Sequence, residues 1–223
     1  MKRSQELEVM DDLTVPAESL LASLNFMAQV NGLLGGTRTV LDYFEKNAPG
    51  EFSVLDVGFG AGDIPHELAM WAKKKGKKIT VTAIDLNPLC VAYAQHHYSC
   101  PEVRFLQHSA FDIERLGKFD YVISSMFFHH LSDEDIVRLL PLFQQTARRG
   151  FLVNDLYRGR LNYAGAFMLG IFSFSPIVFN DAKLSVKRAF QENDFQRYRH
   201  SSGISDLKIE RKPVFRITMG RHV

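Results

Sequence analysis

The chain is poor in cysteine: it has two, Cys90 and Cys100, and no CxxC pair. That argues against a disulfide framework and against a structural zinc finger, and it fits a reducing compartment. Charge of one sign is not in excess either, since 27 Lys and Arg against 25 Asp and Glu leave a formal net charge of +2. No global field therefore steers the protein toward nucleic acid or an anionic membrane. The run Lys73-Lys74-Lys75-Gly76-Lys77-Lys78 is local and reads as the solvated end of a helix entering a turn. The first eight residues, Met1 to Glu8, lack the apolar stretch of a signal peptide, which leads to the expectation of a cytoplasmic protein. Internal repeats and low-complexity segments are missing too.

One segment has no charge at all. From Leu161 to Asn180 the chain approaches the length of a membrane span and carries Phe167, Met168, Phe172, Phe174 and Phe179. Gly165, Gly170, Ser173, Ser175 and Pro176 interrupt it. Those breaks predict a helix followed by an apolar loop over a pocket, with no stable membrane insertion and peripheral contact at most.

What the sequence does contain is an alternation of short β-branched runs and longer helical stretches. Strands are expected over 52–57, 79–84, 103–106, 121–124 and 151–153, with helices over 64–75 and 88–98. Ser132 caps a further helix whose first turn carries Asp133, Glu134 and Asp135. Strands separated by helices call for a doubly wound α/β fold with a parallel sheet. Leu207 to Glu210 and Val214 to Met219 instead alternate with period two around Pro213, an antiparallel hairpin appended to that sheet. The first fifty residues read as a helical cap, with apolar positions at Leu20, Leu21, Leu24 and Met27. The 223 residues form one domain: a cap over 1–50 and a Rossmann-like core over 51–223, with the apolar insertion near 161–180.

The sharpest motif is Val54-Leu55-Asp56-Val57-Gly58-Phe59-Gly60-Ala61-Gly62-Asp63, a strand that ends in glycines and feeds a helix. Glycine lets the backbone turn tightly and lets a ligand approach without a Cβ in the way. The dinucleotide fingerprint is GxGxxG; here the third glycine comes one residue early, which disfavours a nicotinamide dehydrogenase.

This segment resembles motif I of the class I S-adenosylmethionine (SAM)-dependent methyltransferases. Ala83-Ile84-Asp85-Leu86-Asn87-Pro88 resembles the family's second motif, whose acidic residue meets the ribose hydroxyls. Phe105 to Phe111 sits where the family approaches adenine, with Ser109 in place of the usual acid. Phe119 to Ser125, then His129-His130-Leu131, resembles the fourth strand and its loop. The similarity covers roughly residues 52 to 156, and the terminal hairpin fits a seven-stranded family sheet. Outside that core, Asn31 to Arg38 and Val153 to Arg158 are similar to segments of ubiquinone-type and natural-product small-molecule methyltransferases. The resemblance implies SAM as cofactor and S-adenosyl-L-homocysteine (SAH) as product. It places the cofactor on Asp56, Gly58, Gly60, Gly62, Asp63, Asp85, Leu86, Ser109, Ala110, Phe111 and Ser124. Arg38 is a further candidate, for the methionine carboxylate.

Methyl transfer from a sulfonium needs nucleophile, methyl and sulfur in line. A phenol or a carbon acid also needs to lose a proton. His129, His130 and Asp155 lie at the strand ends where open α/β sheets bind ligands and are the candidate catalytic groups. Phe127 and Phe128, with the aromatics of the uncharged run, are expected to overhang a site for a small hydrophobic acceptor. The expected reaction is O-methylation of a phenol, quinol or polyketide-like compound. C-methylation of a quinone-like precursor and a non-catalytic SAM-binding scaffold remain as alternatives. A nucleic-acid substrate is disfavoured, because no Asn-Pro-Pro-Tyr segment follows the fourth strand.

Overall fold

The structure is a computed structural model that describes residues 1–11, 15–172 and 176–222. Seven strands form one sheet in the order β3-β2-β1-β4-β5-β7-β6. The central strands are β1 (Glu51–Val57), β2 (Lys78–Asp85), β3 (Val103–Gln107), β4 (Phe119–Ser125) and β5 (Ala147–Leu156), all mutually parallel. β6 (Lys208–Lys212) and β7 (Arg216–His222) add the expected antiparallel hairpin. β1 and β4 are apolar and inaccessible along most of their length, as strands covered on both faces must be. β6 is the sheet edge, and its Lys208, Glu210, Arg211 and Lys212 discourage pairing with another chain.

Two buried clusters, one on each face, form the core. On one face Phe44, Phe52, Val54, Leu68 and Tyr121 pack together; on the other, Leu55, Val122, Phe143, Phe151 and Phe195 do. The first face is closed by α2 (Gly36–Asn47), α3 (Asp63–Lys74) and α4 (Pro88–His97), the second by α5 (Asp133–Thr146) and α8 (Glu192–Ser201). α1 (Ala17–Leu33) lies over the glycine loop, where Met27 packs against Gly60. The helical cap is thus present, and it covers the strand ends.

Three elements differ from expectation. β5 runs for ten residues because β7 pairs with it from Gly150 through Leu156 while β4 pairs with its other edge. α8 has little apolar periodicity to announce it; Gln191 and Asp194 cap each other reciprocally at its start, and Phe195 and Tyr198 turn inward. The uncharged run folds as two helices, α6 (Arg160–Phe172) and α7 (Pro176–Arg188), in place of a helix and a loop. Pro176 starts α7, a position where its missing N–H costs nothing. The helices approach closely at Gly170, where a Cβ would come within 2.8 Å of the Phe179 ring. Among the described residues no helix is long and apolar enough to cross a membrane.

The N-terminal segment is strapped onto α7 and the loop after β4. Asp181 accepts from the amides of Val9 (2.9 Å) and Met10 (3.1 Å), and Arg3 Nη2 donates to the Leu131 carbonyl at 2.8 Å. This brings Glu8 inside, 2% exposed.

The glycine loop is the tightest part of the fold. Gly62 has φ +86°, and a Cβ there would lie 2.6 Å from the Ala94 Cβ. Gly62→Ala is expected to lower unfolding free energy by more than about 1 kcal/mol. An unchanged urea midpoint would show that the loop relaxes freely.

Candidate active site

The loop Gly58 to Gly62 leaves β1 with φ of +73°, +58° and +86° at its three glycines, conformations that side chains with a Cβ rarely adopt. Gly58 also passes so close to Phe127 that a Cβ would fall 2.4 Å from the ring. Across the loop, Asp85 at the end of β2 accepts from the Gly60 amide (3.0 Å) through Oδ2 and from the Asn87 amide (2.9 Å) through Oδ1. The carboxylate expected at the ribose is therefore held in place by the loop it serves.

Asp56, Asp63 and Asp85 crowd this end of the sheet. Burial pushes Asp56 up to about 8, with the charges of Asp63 and Asp85 adding to it. Its Oδ1 is buried without a hydrogen-bond partner. Burial also pushes Asp63 up to about 6, against hydrogen bonds from its own amide, Asn31 and the Ile64 amide. Asp85 is raised too, again by burial. The cluster therefore resists carrying full negative charge, and a cation among its members relieves that resistance.

The expected adenine-side residues gather beyond β2 and β3. Leu86 is exposed beside Asp85, and the Ser109 hydroxyl accepts from the Phe111 amide to start the turn that holds Ala110 and Phe111. Ser124 is buried, and its hydroxyl donates to the Val57 carbonyl at 2.8 Å, so it ties β4 to β1. Arg38 does not join the group: its side chain is 71% exposed on α2 and pairs with Asp42 at 2.7 Å.

A cavity of about 290 Å³ lies under α1, α6 and α7, and Met27, which packs against Gly60, forms part of its wall. Its wall includes Phe26, Met27, Val30, Ala166, Val178 and Val186, and it is mostly apolar. The aromatics expected here lie elsewhere. Phe128 is buried against Phe143 in the core, Phe127 covers Gly58, and Phe167 and Met168 are 41% and 52% exposed. Phe179 packs on Phe167, Phe174 lies outside the described residues, and so does the side chain of Phe172. Period-3.6 patterning does not say which face of α6 turns inward, and Gly165 and Ala166 do. Among the described residues three non-glycines have positive φ, Met126 (60°), Val214 (56°) and Phe215 (59°), and all three line this cavity. Such strain collects where a site fixes its backbone.

His129 and His130 both reach the cavity wall, on the single turn that follows β4. Asp155, wholly buried at the end of β5, accepts from His129 Nδ1 at 2.7 Å through Oδ1 and from the His129 amide at 3.1 Å through Oδ2. Burial alone would raise this carboxyl; the His129 charge and hydrogen bond, with the Leu156 amide, more than offset it and hold Asp155 below the usual range. A carboxylate only accepts, so Nδ1 of His129 carries a proton, and Nε2 is the nitrogen turned away from Asp155. That nitrogen lies 3.5 Å from Glu8 Oε1. His130 Nδ1 pairs with Asp11 at 2.6 Å. Burial lowers His130, but Glu8 and Asp11 outweigh it and bring it up to about 9.

Two residues of the wall gave little signal in the sequence. Arg216 is buried at 1% exposure, with Nε and Nη1 unpartnered and Nη2 3.4 Å from Asn31 Oδ1. Burial lowers it to about 10, opposed by the charges of Asp155 and Asp63. Its one trace in the sequence is a charge within the otherwise uncharged run Val214 to Met219. Glu8 left no trace at all, because only the folded N-terminal segment brings it here.

The family model described as a methyltransferase domain matches residues 54–150. Among curated protein sequences none matches the chain. Solved structures do. Magnesium protoporphyrin IX methyltransferase from Synechocystis, with bound SAH, superposes with a TM-score of 0.57 at 18% identity, covering 85% of this chain and 82% of that one. Human N-acetylserotonin methyltransferase in complex with SAM gives 0.63 at 19% identity, over 97% of this chain and 62% of that one. A SAM-dependent methyltransferase from Aquifex aeolicus gives 0.60 at 19% identity, over 86% and 91%. Residues 54–150 thus match a methyltransferase domain, and the described residues have the fold of the class I SAM-dependent methyltransferases.

The acidic cluster makes stability depend on pH. Asp56 and Asp63 are raised above their ordinary 3.8, so the fold prefers them protonated. Stability is then lost as pH rises from about 4 to about 8, and the penalty is complete above that. Asp56→Asn is expected to make the decline between pH 6 and 8 shallower, as read from urea midpoints across that range. An unaltered slope would mean that Asp56 does not titrate there.

Proposed function

We propose that this methyltransferase transfers the methyl group of SAM to an ionisable oxygen of a small apolar acceptor, with His129 taking the acceptor's proton. The observation that carries this reading is the His129–Asp155 pair. Asp155 accepts one hydrogen bond from the ring of His129 and one from its amide, which orients the ring at the wall of an apolar cavity with Nε2 as the nitrogen to accept a proton. A neutral imidazole in that state accepts a proton from a phenol- or quinol-like hydroxyl, and Asp155 stabilises the imidazolium that forms.

SAM is assigned to the loop Gly58 to Gly62, with its ribose hydroxyls on Asp85 and its adenine toward Leu86, Ser109, Ala110 and Phe111. The sulfonium carries the positive charge that relieves Asp56, Asp63 and Asp85. Asp63 stands at the start of α3 with Asn31 linking it toward Arg216, and this end takes the methionine part. Arg216 replaces Arg38 as the cation for a carboxylate, since its buried donors lack partners and those of Arg38 face solvent and Asp42. The proposed acceptor remains a phenol, quinol or polyketide-like compound, which an apolar cavity suits. Mitomycin 7-O-methyltransferase, a structural neighbour at 19% identity and a TM-score of 0.59, is named for methylation at an oxygen. A carbon nucleophile in a quinone-like precursor would use the same base, because it too must shed a proton.

His129→Asn is expected to lower kcat on the acceptor by about 100- to 10,000-fold while leaving SAM affinity unchanged. A variant that keeps the full rate across pH makes His129 structural and removes the base from this reading. Asp85→Ala should weaken SAM binding by roughly 1.5–3 kcal/mol in titration calorimetry, the worth of a charge-assisted hydrogen-bonded pair. Equal affinity would take Asp85 out of the ribose role.

A further inference from the structure

Glu8 is a carboxylate enclosed in protein, and its Oε1 has no hydrogen-bond partner. Such a group costs several kcal/mol unless something positive meets it. His129 Nε2 lies 3.5 Å from that oxygen, and the charge of Glu8 is one of those that raise His130. One ligand-capable atom from each of Glu8, His129 and His130 lies within 4.8 Å of the others. We propose that Glu8, His129 and His130 form a binding site for a divalent ion of the zinc type.

Four observations carry this. The donor set, two imidazoles and a carboxylate, is one that such ions take with a coordination position left open. Both rings are oriented for it. Nδ1 of His129 is held by Asp155 at 2.7 Å and Nδ1 of His130 by Asp11 at 2.6 Å, so each has Nε2 to offer. A metal-bound histidine is held through its other nitrogen in this way almost without exception. The spacing fits as well. With bonds of about 2.0–2.1 Å, the 3.5 Å between His129 Nε2 and Glu8 Oε1 corresponds to a ligand–metal–ligand angle of roughly 115°, close to tetrahedral. Finally, the unpartnered Oε1 of Glu8 is aimed at that point, and all three residues line the cavity.

An ion held there presents its open position to the cavity, which suits an acceptor that offers an oxygen. This consequence rests on the acceptor occupying the cavity, as proposed above; the ion site itself does not. The ion and the acceptor's proton compete for His129 Nε2. With an ion on Nε2, His129 cannot take the acceptor's proton, which passes to water as the oxygen ionises and ligates the ion; without the ion, His129 takes it as proposed above.

The test uses the full chain freed of metal by chelation and titrated with Zn2+ in a calorimeter, with SAM titrated separately as a check of the cofactor site. One-to-one Zn2+ binding is expected, weakened by at least about 10-fold in Glu8→Gln and by about 10- to 100-fold in Asp155→Asn, which loses the group orienting His129. The exposed pair His96 and His97 on α4 is the competing surface site, and the double alanine variant at those positions should bind Zn2+ as the wild type does. Should Glu8→Gln fail to fold, His130→Asn serves for the same comparison. Absence of Zn2+ binding by a wild type that still binds SAM overturns the proposal. So does equal affinity in the Glu8 or His130 variant, or loss of binding in the α4 variant. Failure to bind SAM, by contrast, counts against the methyl-transfer reading and leaves the ion site standing on its own result.

Discussion

A carboxylate with no access to water must have its lone pairs occupied, and the site is organised around that requirement at Asp155. Three donors reach it: the ring and the amide of His129, and the amide of Leu156. Because two of them belong to one residue of the turn after β4, the carboxylate fixes both the backbone of that turn and the ring it carries. The turn is also held from behind, where Arg188 Nε donates to the His129 carbonyl at 2.8 Å. For the base role proposed above such rigidity matters, since a small displacement from the reacting atom costs orders of magnitude in rate.

The same strand ends carry opposing electrostatic demands a short distance apart. Toward β1 and β2, the buried Asp56 and Asp63 and the half-buried Asp85 sit together and favour a cation. Toward β7, Arg216 is a buried cation with unpartnered donors, and it favours an anion. A molecule such as SAM has a sulfonium and a carboxylate at the two ends of its methionine chain, and this charge arrangement is complementary to it. Neither demand helps the unliganded protein, because buried charge without a partner destabilises a fold. Their persistence next to three strained residues, Met126, Val214 and Phe215, marks a surface shaped for binding at a cost in stability.

Much of the fold was legible because parallel strands buried on both faces must be apolar and must alternate with helices. Residues 52–57 and 79–84 announced β1 and β2 almost to the residue, and the period-two pattern near the C-terminus announced the hairpin. The glycines and Asp85 were legible for a related reason: a turn this tight beside a ligand leaves few residue types to choose from. In the uncharged run the first helix was legible, but the second, where a loop was expected, was not. Only the packing of Gly170 against Phe179 shows that the run closes as two helices and turns Gly165 and Ala166 inward instead of its phenylalanines.

The sequence by itself determined the strand–helix order, the glycine loop and the pair of histidines after β4, since each rests on local spacing. Only the tertiary structure decided which charged groups act together. It put Glu8 against His129 across 121 positions of chain, set Arg216 beneath Asn31, and left Arg38 outside, paired with Asp42. Those outcomes depend on burial, and burial is a property of the packed whole: an arginine in water and an arginine sealed under a helix are the same letter.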